Sequence, residues 1–278
     1  MKFIKQILAR LTGIYFNLLA YIHPEKLKKD GFVLFCTPFA RILKPHHQAF
    51  LIPAMHEVIE VDGDKIQTYR WGTGSRKILL VHGWASHSFR WKSYIKSLIE
   101  NDFTVFALDA PAHGNSTGKI MNLVRYERVL SAFFEKYPDL DTIIGHSIGG
   151  FAATYFLSRN SKTVIQNAVI LAAPGKVDEF FQYYVRYLGL SKKAIALITE
   201  QFENELKQKP SYFTALNFAS NITTKALIVH DKTDKSTSYL DSESLSKVWK
   251  NSNLKLTKGL GHELKSEELL LEILNFIK

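Results

Sequence analysis

Apolar positions recur along this chain at two spacings, and the spacings divide it into regions. From residue 77 onward, short apolar runs alternate with stretches of helical periodicity. Lys77-Ile78-Leu79-Leu80-Val81, Thr104-Val105-Phe106-Ala107-Leu108, Thr142-Ile143-Ile144, Ala168-Val169-Ile170-Leu171-Ala172 and Ala226-Leu227-Ile228-Val229-His230 read as buried strands. Strands that alternate with helices predict a mostly parallel sheet with helices on both faces. Ahead of them, Glu57-Val58-Ile59-Glu60-Val61 and Lys65-Ile66-Gln67-Thr68-Tyr69-Arg70 flank Asp62-Gly63-Asp64. Asp-Gly between alternating runs predicts an antiparallel hairpin at the sheet edge. Near the start the spacing is helical instead: Ile4, Ile7, Leu8, Leu11, Ile14, Tyr15, Leu18 and Ile22, with Lys2, Lys5, Gln6 and Arg10 between them.

The chemistry enters where a strand meets a helix. After Thr142-Ile143-Ile144 comes Gly145-His146-Ser147-Ile148-Gly149, and a helical stretch follows. G-x-S-x-G in a strand–turn–helix setting is a serine nucleophile elbow. The turn is so tight that Ser147 must take strained backbone angles, and a Cβ at 145 or 149 would collide across it. The pentapeptide alone is a weak signal; its surroundings strengthen it. An activated serine needs a base, and the base needs a carboxylate to fix its tautomer. The run ending in His230 is followed by Asp231-Lys232-Thr233-Asp234, and Gly259-Leu260-Gly261-His262 precedes a C-terminal amphipathic helix.

Upstream, the strand at 77–81 ends in His82-Gly83-Trp84, and that at 104–108 ends in Asp109-Ala110-Pro111-Ala112-His113-Gly114-Asn115-Ser116. With the elbow and the late Asp and His, these segments resemble the α/β-hydrolase superfamily over about residues 56–278. The resemblance implies an α/β-hydrolase fold with a small helical cap insertion. It implies a Ser147–His262–Asp234 triad and an oxyanion hole from the Ile148 and Trp84 N–H groups, with Ala85 as backup. Two features depart from the family pattern. Asp231 stands where glycine usually follows the strand's histidine, which leaves Asp231 as an alternative to Asp234. Ala112 replaces the commoner glycine. Asp109, His82, His113 and His146 sit in recurrent turn motifs, and Asp109 is usually structural in the family.

About fifty residues separate the strand at 168–172 from that at 226, more than a crossover needs. The resemblance places the cap there, at about 176–222. Its Phe180, Phe181, Tyr183, Tyr184 and Tyr187 are either anchors or a lining. Phe180, Phe181 and Tyr184, with His146, are the expected substrate pocket.

Composition narrows the field. Among 278 residues, 46% apolar content suits one large α/β domain. Cys36 is the only cysteine, so no intrachain disulfide forms and buried packing is its expected role. No run has zinc-site spacing, and neither a phosphate-binding nor a dinucleotide-binding glycine motif occurs, so no metal or cofactor is expected. Of the net charge of +10, +6 lies in residues 1–50, with eight Lys/Arg against two acids. The apolar run from 11 to 22 is too short and interrupted to cross a membrane, and no convincing cleavage site follows it as in a signal peptide. Residues 1–55 are expected to form a basic amphipathic helical arm before a hydrolase domain at 56–278. Packing on the body is the first reading of that arm, and peripheral contact with an anionic membrane the second. Nucleic acid is not an expected partner.

The function expected is hydrolysis of a small-molecule carboxylic ester with an apolar acyl part, through an acyl-enzyme. Thioesters, amides and carbon–carbon bonds are alternatives for the same triad, and an inactive membrane-associated binding protein is the alternative of another class. The expected location is cytoplasmic, with peripheral contact at the inner face of the membrane only under the second reading of the arm.

Overall fold

Alternating burial organises this molecule before any site can form. The computed structural model describes residues 2–39, 43–160 and 163–278, with backbone alone at 2 and 3. In chain order the elements are α1 (Lys2–Ile22), α2 (Pro24–Cys36), α3 (Pro45–Leu51), β1 (Met55–Val61), β2 (Asp64–Trp71), β3 (Arg76–Val81), α4 (Lys92–Glu100), β4 (Phe103–Leu108), α5 (Leu123–Lys136) and β5 (Thr142–His146). They continue with α6 (Ile148–Arg159), β6 (Asn167–Leu171), α7 (Val177–Leu188), α8 (Lys192–Leu206), α9 (Ala215–Ala219), β7 (Lys225–Asp231), α10 (Tyr239–Val248), β8 (Ser252–Thr257) and α11 (Glu267–Ile277). Two compact units result. One joins residues 1–37 to 176–217, and the other comprises 38–175 and 218–278.

The larger unit carries an eight-stranded sheet in the order β1-β2-β4-β3-β5-β6-β7-β8. Strands β3 to β8 run parallel, whereas β1 and β2 are antiparallel at one edge. This is the mostly parallel sheet that the alternation predicted, in the α/β-hydrolase fold that the resemblance implied. The edge hairpin closes at Val61↔Asp64, and both turn residues have positive φ, Asp62 at 51° and Gly63 at 82°. That is the turn Asp-Gly favours. Strand alternation then sorts the core. Ile78, Leu80, Val105, Ala107, Val169 and Leu171 pack with Ile95 and Leu98 of α4 and Ile273 and Ile277 of α11. On the other face, Phe106 meets Phe133 of α5 at 5.6 Å, and the α6 backbone at Gly150 lies against Ile170. The strand order turns back at β3, so the crevice above the carboxyl ends of β3 and β5 is the switch point where open α/β sheets place their sites.

The smaller unit is helical. Residues 1–37, the larger part of the expected arm of residues 1–55, share a core with the insertion. Ala9, Phe16, Leu19, Ala20 and Leu27 from α1 and α2 pack with Phe181, Val185, Leu188, Ala194 and Ile198 from α7 and α8. Hydrophobic periodicity predicted the helices but could not name a partner some 170 residues away. Asn17 fastens the α7–α8 turn, accepting from the Ser191 N–H at 2.7 Å and donating to the Gly189 carbonyl at 3.0 Å. At Gly13 a Cβ would lie 1.9 Å from the Leu188 carbonyl oxygen, so α1 approaches the end of α7 as only glycine permits. Cys36 is buried, as expected. The side chain of Lys2, one of the cations flanking the predicted helix, lies outside the described residues.

Candidate active site

Four strand ends bring the predicted chemistry together. Ser147 follows β5 at φ 55° and ψ −127°, the strained conformation an elbow demands. A Cβ at Gly145 would come within 2.6 Å of the Gly149 carbonyl oxygen, and one at Gly149 within 2.4 Å of the Val81 and His82 carbonyl oxygens. Neither glycine is replaceable without moving backbone. The Ser147 N–H donates to the Leu171 carbonyl at 2.8 Å, which ties the elbow to the end of β6.

From this position Ser147 Oγ lies 3.1 Å from His262 Nε2, and His262 Nδ1 lies 2.7 Å from Asp234 Oδ2. One tautomer satisfies both contacts: Nδ1–H donates to the carboxylate, and Nε2 accepts from the serine hydroxyl. The structure therefore brings Ser147, His262 and Asp234 into one relay. The Asp234 side chain is fully buried. Burial by itself raises its pKa, but hydrogen bonds from His230, His262 and the Ser236 N–H outweigh that and hold the carboxyl far below its usual range.

Asp231 has different work. Its Oδ1 accepts from the Thr233 N–H at 2.8 Å and the Gly259 N–H at 3.2 Å. Its Oδ2 accepts from Thr257 Oγ1 at 2.7 Å and the Leu260 N–H at 2.9 Å. The carboxylate thus knits the end of β7 to the loop that carries His262. Here too burial pushes upward, and the donors from Thr233, Thr257 and Leu260 prevail, so the group stays strongly acidic. Of the two aspartates, Asp234 orients the imidazole and Asp231 holds the imidazole's loop.

Two residues of this web were not among the expected site residues. His230 Nε2 lies 3.2 Å from Asp234 Oδ2, and its Nδ1 lies 2.7 Å from Ser242 Oγ. Thr237 Oγ1 lies 2.9 Å from Asp234 Oδ2 and 3.1 Å from the Ala172 carbonyl. A histidine ending a strand and a threonine three residues after the acid were the only signals, and neither is specific.

The oxyanion side is built by close packing. A Cβ at Gly83 would fall 2.8 Å from Ser147 Cβ, so the His-Gly turn rests against Ser147. Trp84 follows that turn, and Ile148 is the first residue of α6, where an N–H has no acceptor within the helix. The backup donor is occupied: the Ala85 N–H donates to His113 Nε2 at 3.0 Å. His113 Nδ1 faces the Pro111 carbonyl at 2.9 Å, and His82 Nε2 accepts from the Ala110 N–H at 2.9 Å. Burial lowers the pKa of both imidazoles, so they are neutral braces for the loops around the site. Asp109, as expected, is structural. It accepts from the Ser88 N–H and Oγ, the Asn115 N–H and the Tyr69 hydroxyl. Ala112, at the position where glycine is commoner, takes φ 62°.

The expected pocket residues do other things. His146 is buried, and its Nε2–H donates to the His262 carbonyl at 2.8 Å, so it braces the base's loop. Burial, reinforced by the charge of Arg90, lowers its pKa well below the ordinary histidine range. Phe181 is buried among Phe35, Tyr184 and Phe202, and the Tyr184 hydroxyl donates to the Gly31 carbonyl at 2.9 Å. Both are committed to the core of the helical unit, which needs large rings to fill the space between α2, α7 and α8. Phe180 is partly exposed on α7. Among the described residues, no group of His, Cys, Asp and Glu is arranged to hold a metal ion.

Residues 74–215 match the family model described as "Serine aminopeptidase, S33". A non-heme chloroperoxidase of Kitasatospora aureofaciens is 27% identical over 116 residues, which are 40% of this chain and 42% of that protein. A pimeloyl-acyl-carrier-protein methyl ester esterase of Vibrio vulnificus is 23% identical over 139 residues, 50% of this chain and 51% of its own. The chain spans about half the length of the curated relatives it matches. Among solved structures, a membrane phospholipase A described as a bacterial virulence factor superposes with a TM-score of 0.64 at 16% identity. That alignment covers 100% of this chain and 98% of the other, a likeness of fold.

Proposed function

The chain belongs to the serine aminopeptidase family of α/β-hydrolases, and from that premise we propose that it is a serine hydrolase cleaving a carboxylic ester with an apolar acyl part. The observation that carries the proposal is the unbroken relay of 3.1 Å from Ser147 Oγ to His262 Nε2 and 2.7 Å from His262 Nδ1 to Asp234 Oδ2. In the first half-reaction Ser147 Oγ attacks the ester carbonyl carbon while its proton passes to His262 Nε2. Buried Asp234 stabilises the imidazolium that forms. The negative charge on the carbonyl oxygen falls to the N–H groups of Ile148 and Trp84. His262 then gives its proton to the alkoxy oxygen as the bond from that oxygen to the carbonyl carbon breaks. The alcohol departs and the acyl group stays on Ser147 Oγ. Water, deprotonated by His262, attacks that ester, and the carboxylic acid departs as Ser147 regains its proton.

Support for an apolar acyl group comes from the nucleophile's neighbours. Gly83 packs against it, with Trp84 next in the chain, Ile148 follows it in sequence, and Ala172 and Ala173 continue from Leu171, which accepts its N–H. The methyl ester esterase among the relatives supports an ester as the bond. The family's own description favours a second reading, cleavage of an aminoacyl amide. The test is labelling by a fluorophosphonate probe, with wild type beside Ser147→Ala, together with turnover of p-nitrophenyl esters of increasing acyl length and of an amino-acid p-nitroanilide. The proposal expects labelling that vanishes in the variant and ester turnover above anilide turnover. Well-folded protein that neither labels nor turns over any ester would refute it. Anilide turnover exceeding that of every ester would select the second reading.

A further inference from the structure

Helix α1 is apolar on two opposite faces, and among the described residues only one of them is packed. Ala9, Gly13, Phe16 and Ala20 recur at intervals of four, three and four and turn into the core of the helical unit. On the opposite side Ile4, Leu8, Leu11, Ile14 and Leu18 form a second stripe, continued at the helix end by Tyr21 and Ile22. These seven side chains are each between 56% and 70% exposed. At 100° per residue the two stripes are centred about half a turn apart. A folded chain rarely leaves so continuous an apolar surface in water without a use for it.

Charge decides what covers the bare stripe. Helix α1 contains no Asp or Glu. Lys5 and Arg10 are exposed between the two stripes, one on each flank, and at the far end the Lys193 ammonium sits 4.0 Å over the Tyr21 ring. The bare stripe is therefore edged by cations over its first half and again at its far end. A second copy of the helix could match the spacing of the stripe, but pairing would bring these cations together with no carboxylate on α1 to answer them. An apolar stripe edged by Lys and Arg suits a helix lying in the plane of an anionic bilayer, with its side chains in the acyl boundary and its cations at the phosphates. No helix among the described residues is long and apolar enough to cross a membrane, so lying in the plane is the mode available to α1. We infer that the bare face of α1 is a docking surface for anionic lipid membranes.

The test is flotation of the full chain with vesicles of phosphatidylcholine alone, or of phosphatidylcholine with 30% phosphatidylglycerol, at low and at high salt. Binding is expected at least about tenfold tighter to the anionic vesicles, weakened by salt. Lys5→Glu with Lys193→Glu should lower it by about fivefold or more per site. Leu11→Glu with Leu18→Glu should abolish it while circular dichroism and thermal midpoint hold, since both positions already face solvent. Protein that never floats, or that floats equally with both vesicles and with the Leu11/Leu18 variant, would overturn the inference. So would a dimer by light scattering that this variant splits in protein that binds no vesicle, an outcome that assigns the stripe to a second copy. None of these readings depends on ester turnover.

Discussion

The sheet unit and the helical unit are held together by different means. In the sheet unit the parts that matter are fastened by polar atoms in fixed geometry. Asp231 gathers donors from Thr233, Thr257, Gly259 and Leu260, and Asp234 gathers His262, His230 and Thr237. In the helical unit the fit is steric, with rings and aliphatic side chains filling the space between α1, α2, α7 and α8, and Asn17 as one polar clip. The comparison teaches where each is vulnerable. Changes of charge at constant shape should damage the first, and changes of shape without any charge should damage the second.

The largest effect that would sharpen this contrast is Ser147→Ala, which removes one oxygen. We expect kcat for a p-nitrophenyl ester to fall by about 10⁴-fold or more, with the thermal midpoint held or raised as backbone strain and polarity permit. Next is Asp234→Asn, isosteric yet expected to lower kcat by about 10³- to 10⁴-fold with KM little changed, because the amide imposes the wrong tautomer on His262. Asp231→Asn should leave kcat within about tenfold and instead lose about 2–4 kcal/mol of stability in urea unfolding, since the amide turns a donor toward donors. If the two variants exchanged these signatures, the roles given to the two aspartates would be reversed.

A smaller effect concerns pH. Both carboxyls titrate lower in the folded chain than in the unfolded one. Their contribution to stability is therefore complete above the unfolded value of about 3.9, and it is lost as pH falls from there toward the folded values. The thermal midpoint of wild type should drop steeply between about pH 5 and pH 2, and Asp231→Asn should flatten that slope; equal slopes would break the argument. In the helical unit, Gly13→Ala adds one methyl group 1.9 Å from a backbone oxygen and should cost about 1–3 kcal/mol. Gly31→Ala is expected to be the mildest change. Its Cβ meets side-chain atoms of Ile198 at 2.6 Å rather than backbone, and alanine's better helix propensity offsets about 1 kcal/mol of the cost.

The contrast also explains what could be read from the sequence. Turn chemistry is local, so Asp62-Gly63 announced its hairpin and Gly145-His146-Ser147-Ile148-Gly149 its elbow, each by residues that only such backbones require. Strands buried on both faces announced a mostly parallel sheet, though not the order of its strands. The supporting web was illegible because its bonds join distant segments: Thr257 to Asp231 across 26 positions, Thr237 to Ala172 across 65. Helix α1 shows the same limit. Periodicity identified its apolar residues, but with two apolar faces it could not say which one α7 and α8 would cover. The aromatic residues of α7 suffered the same ambiguity, and Phe181 and Tyr184 proved to be core. Asp231 looked like a rival for the acid's place because proximity in sequence does not reveal which carboxylate reaches an imidazole.

The carboxylate of Asp231 has a further consequence, in time rather than energy. The amides of Gly259 and Leu260 belong to an irregular, glycine-containing loop, a setting in which hydrogen usually exchanges with solvent within seconds. Here both are tethered to a buried anion. They should exchange with deuterium only when β7, β8 and the His262 loop come apart together, at rates close to those of the strand interiors. Those two amides are therefore a clock for the motion that would carry His262 away from Ser147.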